Sequence, residues 1–408
     1  MQLKEFSLIS PQIESGTVLK ALETAIPTEA IEIALAQTHS NEKRKRALPS
    51  HLVICLVIAM SLWSKASMRT VLKNLVDGLS EAWVRVGQYW RVPCKSSITE
   101  ARQRVGPQVM SRLFYQVVRP LGTAETVGVF LGGLRVMAVD GTVFDVPDSG
   151  ANARVFGYPA SRPGTTAAFP KVRLVLLIEA GTHLIVDALI CPYRMGERKR
   201  VKKLLRSVTA GMLLMWDRGL HSYGMVQATG ATRCDYLGRV PKNVKFQVDK
   251  VLEDGSYLTW IAPDGKSKKK GGTKIQVRVI EYTIDTDESQ QVYRLITSLT
   301  DVVLFPALLL ATEYHRRWEV ENTIDELKVH LLGRKTLIRS QKPREVIQEI
   351  YGWLLGHWTV RSLMFQVALH ANISPLRLGF TGTLNVVRRA VPKFQRLEPD
   401  EIPFFLLG

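Results

Sequence analysis

Two short apolar runs, each ending in an aspartate with a glycine close behind, constrain the fold of this chain more than any other feature. Residues 135–139 are strand-like and end at Asp140. Residues 212–216 repeat the pattern and end at Asp217. In sheets built from alternating strands and helices, functional groups gather at the carboxyl ends of the strands. The two runs therefore predict an α/β sheet that carries both aspartates at one edge.

The periodicity of the remaining sequence predicts helices around this sheet and a β-rich interruption. Residues 1 to about 125 are helical in pattern, and further strands are predicted at 172–179 and 183–190. After about residue 234 the chain turns to strands and loops. Helical periodicity returns at Pro306, which suits a first helical position, and continues to Leu332 before Gly333. We expect one long helix there, and hence an α/β core that carries an insertion.

The N-terminal region contains a candidate DNA-reading motif. Ser97, with Glu100 three residues later, has the form of a capping box and predicts the start of a helix. Gly106 and Pro107 then break this helix, and a second helix over 108–118 would follow at an angle, as in a helix-turn-helix. The alternative is an ordinary pair of packed helices. The candidate DNA contacts of this motif are Arg102, Arg104 and Arg112.

The charge of the chain points to a polyanionic partner. Its 55 lysines and arginines against 37 acidic residues give a net charge of +18, which favours nucleic acid over an anionic membrane surface. A predicted helix over 194–208 repeats cations every four residues, at Arg198, Lys202 and Arg206. This basic face is either a DNA contact or an ordinary solvated surface.

Several other classes of protein are excluded by the sequence. The apolar run over 52–63 is too short for the roughly 20 residues that span a bilayer, so we expect a buried helix there. The N-terminus lacks a secretory signal, and we therefore expect a cytoplasmic protein with no membrane partner. Four cysteines without CxxC spacing predict neither a zinc site nor a disulfide framework.

The predicted helix over 306–332 carries four polar residues on one face. Tyr314, Arg317, Glu321 and Lys328 lie at offsets of 0, 3, 7 and 14, within an arc of roughly 60°. The face borders an apolar stripe, as at the edge of a crevice. The alternative is that Arg317 and Glu321 form only a surface ion pair. In a site, Arg317 and Lys328 would hold phosphates, and Tyr314 would donate a hydrogen bond to a phosphate oxygen.

Glu321 would complete a set of three carboxylates with the strand-end aspartates. Three carboxylates can bind two Mg²⁺ ions about 4 Å apart for phosphoryl transfer, and without a cation they would repel one another. Asp145 and Asp148 are local rivals of Asp140, which is favoured by its strand-end position. Asp325 is a helper or a solvated residue, and Asp187, inside an apolar run, is expected to be structural.

The spacing Tyr-x2-Arg-x3-Glu-x6-Lys, at Tyr314, Arg317, Glu321 and Lys328, resembles the motif of insertion-sequence-4 family transposases. Residues 139–142 (VDGT) and 216–219 (WDRG) are similar to the family's first and second aspartate regions, in the same order. The resemblance implies that Asp140, Asp217 and Glu321 are the catalytic and metal-binding residues. Tyr314, Arg317 and Lys328 would contact DNA, with Arg198 and Lys202 as further DNA contacts.

The fold implied by the resemblance is an RNase H-like catalytic core interrupted by a β-rich insertion, with helical N-terminal and C-terminal regions. We expect a DNA-binding region over 1–130, the first part of the core over 131–234 and the insertion over 235–290. The second part of the core would cover 291–370, and a C-terminal region with dimer contacts would cover 371–408. Trp260 is the only tryptophan of the insertion, where it would stack on a flipped base or simply pack.

The function implied is that of a bacterial, nucleoid-associated DNA transposase that uses two Mg²⁺ ions, with Mn²⁺ able to substitute. It would act as a homodimer on double-stranded DNA, nicking the terminal inverted repeats of an element and joining the freed 3′-hydroxyl to target DNA. Two alternatives remain open from the sequence. One is a catalytically silent DNA-binding regulator derived from a transposase, and the other is a structure-directed nuclease that does not transfer strands.

Overall fold

The structure is a computed structural model that describes residues 23, 25–42, 44, 46–77, 91–159, 165, 167–269, 271–286, 289–333, 338–394 and 401. Parts of the predicted N-terminal and C-terminal regions, residues 1–22, 395–400 and 402–408, lie outside this set. Over the described ranges, none of the helices combines the length and the apolar character needed to cross a membrane.

The described part of the chain forms two compact units, and each is built from more than one segment of the sequence. The first unit comprises residues 1–118, 146–152 and 326–408, and the second comprises 119–145 and 153–325. The first unit is helical. Its helices are α1 (Thr28–Gln37), α2 (Ser50–Leu62), α3 (Met68–Asp77), α4 (Lys95–Val117), α11 (Pro343–Ala371) and α12 (Phe380–Phe394), and the residues of α5 (Gly150–Phe156) are divided between the two units.

The second unit is a sheet with helices. Its strands are β1 (Phe130–Leu131), β2 (Leu134–Asp145), β3 (Lys171–Glu179), β4 (Leu184–Pro192), β5 (Met212–Trp216), β6 (Asp235–Arg239), β7 (Lys250–Val251), β8 (Tyr257–Ile261), β9 (Ile275–Thr286) and β10 (Ser289–Thr297). Its helices are α6 (Glu197–Leu204), α7 (Tyr223–Gly230), α8 (Gly265–Lys268), α9 (Ala307–His315) and α10 (Trp318–Asp325). The predicted strands over 172–179, 183–190 and 212–216 are thus confirmed to within two residues.

All of these strands belong to one mixed sheet. Among the described residues the strand order is β4-β3-β2-β5-β6-β10-β9-β8-β7, with β1 paired to β2. The pairs β2–β5 and β5–β6 are parallel, whereas β3 lies antiparallel between β2 and β4. The strands of the predicted insertion continue the same sheet, because β10 pairs with β6 on one side and β9 on the other.

The core of this sheet explains why its central strands form. Every side chain of β5 from Leu213 to Trp216 is buried, as expected for a parallel strand covered on both faces. The indole of Trp216 stacks on Tyr236 at a centroid distance of 5.3 Å. Gly238 of β6 has no side chain at the point where this indole packs, so the close approach of the two strands requires glycine there.

In the helical unit, α2 is the buried helix expected over 52–63, since all 13 of its residues are buried. It packs with α4 against the long α11. The expected break in α4 is present: Gly106 has φ 73°, and the helix is kinked before Pro107. The capping box is wrong. The helix begins at Lys95 with Cys94 as its N-cap, so Ser97 lies already within the first turn.

Two arginines of the predicted helix-turn-helix have hydrogen-bond partners within the helical unit. Arg102 is only 2% exposed and donates hydrogen bonds to Gln348, Ser340 and the carbonyl oxygen of Glu345. Arg104 donates to the carbonyl oxygen of Leu48 at 2.6 Å and pairs with Glu42. The Arg102 guanidinium is therefore committed to packing the helical unit, whereas Arg104 and Arg112 are both exposed and stay predicted DNA contacts.

Candidate active site

Asp140 and Asp217 occupy equivalent positions on neighbouring parallel strands. The pairing of β2 with β5 ends at Val139 opposite Trp216, and each aspartate is the next residue. β2 itself does not end there, as the sequence suggested, because its pairing with β3 continues through Asp140 to Asp145. Asp140 thus lies where the parallel pairing ends, and the two carboxylates share the carboxyl edge of the sheet.

The backbone next to each aspartate supports its carboxylate. The N–H of Gly141 donates to Oδ1 of Asp140 at 2.7 Å, and the N–H of Arg218 donates to Oδ1 of Asp217 at 2.6 Å. Each aspartate therefore accepts a hydrogen bond from the residue that follows it, which restricts its rotamer.

The helix expected over 306–332 is broken, and the break lies inside the motif. α9 ends at His315 and α10 begins at Trp318, and the residues after Asp325 form a π-helical segment, Glu326–Leu331. Gly333 has φ 85° and terminates the segment as expected. A wheel drawn for one continuous α-helix therefore does not give the direction of Lys328, because the helix is interrupted after His315 and Lys328 lies in the π-helical segment.

Tyr314 is placed differently from the expectation of a phosphate contact. It is only 4% exposed, and its hydroxyl donates to the main-chain oxygen of Trp216 at 3.4 Å. Burial raises its pKa above the usual range. Tyr314 therefore attaches α9 to the end of β5, immediately before Asp217.

Arg317 connects the glutamate with the first aspartate. Its Nη2 lies 2.7 Å from Oε1 of Glu321, and its Nη1 lies 3.7 Å from Oδ2 of Asp140. The Arg317 side chain is 11% exposed, against 41% for Glu321, so the pair is not the surface ion pair considered above. The structure therefore brings Asp140, Arg317 and Glu321 together within one unit.

Asp140 is the carboxylate whose charge costs most in this arrangement. Burial raises its pKa to about 6, although the hydrogen bond from Gly141 and the charge of Arg317 act in the opposite direction. The nearby negative charges of Glu197 and Asp217 raise the pKa further. A cation bound beside Asp140 would offset this cost.

The donor chemistry fits a divalent cation, since carboxylate oxygens are the ligands that Mg²⁺ prefers. Within the described ranges, however, no three His, Cys, Asp or Glu side chains are gathered closely enough to hold a metal ion. Arg317 instead supplies the positive charge between Asp140 and Glu321. The carboxylate chemistry thus suits a divalent cation, while in this structure the positive charge beside Asp140 and Glu321 is that of Arg317.

The competing aspartates have other partners. Asp145 pairs with Lys171 at 2.6 Å, with its side chain 38% exposed. Asp187 is 1% exposed and accepts hydrogen bonds from Arg206 at 2.8 Å and Ser207 at 2.6 Å. The structural role expected for Asp187 is confirmed. Arg206, which was predicted to belong to the basic face of α6, forms an ion pair with Asp187 instead.

Two groups of residues near the aspartates were missed by the sequence reasoning. The first is Glu197, whose carboxylate fills the space that a side chain at Gly141 would need and pairs with Arg173 at 3.0 Å. The second surrounds a cavity of about 220 Å³. Its lining residues are Arg218, Arg239, Val240, Lys242, Val292 and Arg294. We call its four cations the basic pocket. The signal for it in the sequence was only that Arg218 adjoins Asp217.

The basic pocket lies at the same sheet edge as the carboxylates. Trp216 pairs with Gly238 in the parallel register of β5 and β6, so Arg239 is level with Asp217. The Arg239 guanidinium stacks over the ring of Tyr293 at 4.0 Å. Arg218, Arg239 and Lys242 form no ion pair within the described part of the chain. Three uncompensated cations around one cavity are suited to a phosphate-containing ligand.

The remaining predicted DNA contacts are divided between the two units. Arg198 and Lys202 are exposed on α6, and Arg198 Nε donates to the carbonyl oxygen of Gly219 at 2.6 Å. Trp260 is 47% exposed on β8 and donates its indole N–H to Asp249 at 3.0 Å. Trp318, which the sequence reasoning did not single out, is 59% exposed and adjoins Arg317. Lys328 belongs to the π-helical segment, which lies in the helical unit.

The site combines carboxylates that suit a metal ion with basic side chains that suit phosphates. This combination is typical of an enzyme that acts on phosphodiesters. The family profile described as "Transposase DDE domain" matches residues 131–355, and that described as "Insertion element 4 transposase N-terminal" matches residues 17–115. The chain therefore belongs to the DDE-domain transposases, which confirms the resemblance inferred from the motif. It is a DNA transposase, and domains of this family generally use divalent metal ions.

Individual relatives agree with this membership. The chain is 26% identical over 391 residues to the transposase InsG for insertion sequence element IS4 of Escherichia coli (strain K12), which covers 94% of this chain and 86% of that protein. It is 27% identical over 225 residues to the putative transposase InsZ of the same organism, covering 55% of this chain and 72% of that protein. Among solved structures, the piggyBac transposase synaptic complex with hairpin DNA matches with a TM-score of 0.47 and 10% identity, over 92% of this chain and 80% of that one.

Proposed function

We propose that this transposase nicks the ends of its element hydrolytically and then joins the freed 3′-hydroxyl to target DNA, with Asp140, Asp217 and Glu321 as its catalytic carboxylates. The observation that carries the proposal is the level placement of the two aspartates on β2 and β5, with Glu321 linked to Asp140 through Arg317. The chemistry is an in-line displacement at phosphorus and needs no covalent enzyme intermediate.

The finer fold assignment is an RNase H-like core. The order β4-β3-β2-β5-β6, with β2, β5 and β6 parallel and β3 antiparallel between β2 and β4, supports it. Strands β7 to β9 then represent the insertion between Asp217 and Glu321, and β10 returns the chain to the core. We keep the predicted division at residues 1–130, 131–234, 235–290, 291–370 and 371–408 as part of this proposal, except that β6 (Asp235–Arg239) is assigned to the core and the insertion begins after it.

The three carboxylates would hold two Mg²⁺ ions, which would polarise the phosphodiester and activate the attacking oxygen. The other residues of the motif position these groups. Tyr314 fixes α9 to the end of β5 through the Trp216 carbonyl oxygen, and Arg317 orients Asp140 and Glu321. Arg317 also offers a planar guanidinium with several donors to a phosphate.

The basic pocket is the best-supported contact for the DNA backbone. Phosphates of the strand on either side of the cleaved bond must lie within a few ångströms of the carboxylates, and Arg218 and Arg239 flank Asp217 in sequence and in register. Arg198, Lys202 and Lys328 are proposed as further phosphate contacts. Trp260 and Trp318 are exposed aromatic surfaces on which an unpaired base could stack.

Assembly as a homodimer on two transposon ends, with dimer contacts from residues 371–408, is supported by family membership. A catalytically silent regulator is not favoured, because all three carboxylates of the proposed set are present and the chain belongs to a family of DNA transposases. A nuclease without strand transfer differs from a transposase in one product: its cut strands never join a second DNA.

The test uses a duplex that carries the terminal inverted repeat of the element, incubated with Mg²⁺ and with a supercoiled target. Asp140→Asn, Asp217→Asn and Glu321→Gln should each reduce cleavage to below about 1% of wild type while end binding changes little. Arg239→Ala and Lys242→Ala should instead weaken binding, each lowering the slope of log affinity against log salt by about 0.9. Cleavage and fluorescence anisotropy are measured on the same variants.

Matched controls come from the rival aspartates. Asp145→Asn and Asp148→Asn remove a neighbouring carboxylate without touching the proposed set, so both should cut as wild type does. Cutting retained by Asp140→Asn would remove that residue from the mechanism. A wild-type protein that binds ends but never cuts them would be a regulator, and one that cuts without joining would be a nuclease.

A further inference from the structure

The π-helical segment Glu326–Leu331 is held in place by a buried polar cluster within the helical unit. Glu326 is 7% exposed, and its carboxylate accepts hydrogen bonds from Nε of Arg361 at 2.7 Å and from Nη2 of the same side chain. His357 Nε2 lies 3.3 Å from the same carboxylate. We call Glu326, His357 and Arg361 the clamp. His357 and Arg361 are four residues apart on α11 and so share one face of that helix.

The start of α12 completes the attachment at both ends of the segment. The ring of Phe380 stacks on His357 at 5.4 Å, and the Arg361 guanidinium lies over the same ring at 5.6 Å. Further along the segment, Oγ1 of Thr381 and Nδ1 of His330 are 3.0 Å apart. The π-helical segment is therefore fixed through Glu326 on one side of Lys328 and through His330 on the other.

Stability alone does not explain a buried ionic cluster at this position. The desolvation of a buried ion pair roughly cancels its Coulombic gain, and apolar replacements of similar volume are often neutral or stabilising. Such clusters can instead select one conformation among several. A π turn is rare, is found mostly at functional sites, and contains one residue more per turn than the α-helix it interrupts.

The geometry of the segment decides where Lys328 points. One inserted residue rotates every later side chain by about 100° around the helix axis. If the segment relaxed to an α-helix, its side chains, Lys328 among them, would turn progressively around the axis, and the full angle would be reached at the end of the segment. Leu327 and Leu331, both fully buried, would have to leave their places in the core.

We infer that the clamp residues Arg361 and His357, acting through Glu326, are positioning residues for the motif lysine Lys328. The inference rests on the proposed function in one respect, namely that Lys328 binds a DNA phosphate. None of the three clamp residues needs to touch DNA. Their effect is to hold the π-helical segment in the register that presents Lys328.

The experiment is a double-mutant cycle in the full-length protein, read out as the salt dependence of end binding. Lys328→Ala should lower the slope of log affinity against log salt by about 0.9, and Lys328→Arg should restore it. Replacing the ion pair by apolar residues, Glu326→Leu with Arg361→Met, should produce the same loss of slope with Lys328 intact. Adding Lys328→Ala to that pair should then change the slope no further.

A second variant covers the case in which the apolar pair does not fold. Thr381→Val removes the exposed hydrogen bond to His330 and leaves the buried clamp intact. Thr381→Val should lower the slope of log affinity against log salt by less than the 0.9 expected for Lys328→Ala. In a protein that already carries Lys328→Ala, Thr381→Val should not change the slope.

The failures are distinguishable. A Lys328→Ala protein with the wild-type slope would overturn the phosphate contact, and the inference with it. A folded Glu326→Leu/Arg361→Met protein, or a Thr381→Val protein, in which Lys328→Ala still costs its full 0.9 would overturn the positioning role alone. Loss of the carboxylates' cleavage activity is measured separately and does not enter this cycle.

Discussion

Asp140 is a single residue of the proposed site whose negative charge destabilises the folded protein. Burial raises the pKa of its carboxyl group to about 6, and the negative charges of Glu197 and Asp217 raise it further. Its side chain is still 25% exposed, so part of the cost is screened by water. The folded protein without a cation therefore prefers the protonated form of Asp140 under mildly acidic conditions.

Asp140→Asn should consequently stabilise the cation-free protein, and only near neutral pH. In the folded state the pKa lies above the usual value of 3.8, so the contribution of Asp140 to stability is present below about pH 4 and is lost as the pH rises through 6. Asparagine stays neutral throughout. The variant should gain roughly 2 kcal/mol over wild type at pH 7.5 and almost nothing at pH 4, measured by urea unfolding with EDTA.

Asp145→Asn is the matched control for this measurement. It removes a partly exposed ion pair to Lys171 and should change stability by less than about 1 kcal/mol at either pH. Equal stabilisation by Asp140→Asn at both pH values would contradict the electrostatic explanation.

At the residue scale, the sequence predicted which side chains belong to the candidate site better than it predicted their burial and their contacts. Asp140 could be preferred to Asp145 and Asp148 because it follows a strand-like run. The burial of Tyr314 and Arg102 could not be predicted, since helical periodicity gives the direction of a side chain and not the partner that it meets. The position of Glu197 beside Asp140 could not be predicted either, because only the folded chain brings α6 against Gly141.

At the scale of elements, the presence of a helix or strand was easier to predict than whether a helix runs without a break. Strand β5 and the kink at Gly106 follow from local patterns that the sequence shows directly. The break between α9 and α10 does not, because the sequence contains no proline or glycine there. Tertiary anchors hold α10 instead: Glu319 accepts a hydrogen bond from His183 at 2.8 Å, and Arg316 donates to the Gly128 carbonyl oxygen at 3.2 Å.

The crossing of α2 and α11 gives a prediction at the scale of elements. A methyl group at Gly352 would lie 2.5 Å from the carbonyl oxygen of Val57, and one at Gly356 would meet the hydroxyl of Ser61. Alanine is the better helix former by about 1 kcal/mol, so any loss of stability reports the clash. Gly352→Ala and Gly356→Ala should each destabilise the protein by about 1 to 3 kcal/mol, measured by urea unfolding.

The two glycines should differ in how they can be rescued. Ser61→Ala removes the atom that obstructs Gly356, so Gly356→Ala should cost little in that background. Gly352→Ala meets main-chain atoms and should not be rescued by any side-chain change in α2. Rescue of both variants by Ser61→Ala would mean that the helices separate freely, contrary to the close crossing described.

At the scale of the whole molecule, the sequence predicted the order of its parts but not how they combine. An α/β core with a β-rich stretch before the glutamate could be expected from the changes of periodicity. That β10 pairs with β6, and so continues one sheet, could not be expected, because pairing between distant strands leaves no local pattern. The helical unit likewise joins residues 1–118 to residues 326–408, which are more than 200 residues further along the sequence.

The N-terminal region, matched by its own family profile over residues 17–115, should not fold by itself. Its helix α2 is buried on every side, and α11 packs against both α2 and α4. A fragment of residues 1–118 would therefore expose an apolar helix to water, whereas coexpression with residues 326–408 restores its cover. We expect the fragment alone to lack a near-ultraviolet circular dichroism signal and cooperative unfolding, and the coexpressed pair to show both. Gly352→Ala in the second fragment should weaken the pairing. Cooperative unfolding of the isolated fragment would show instead that the region is an independent domain.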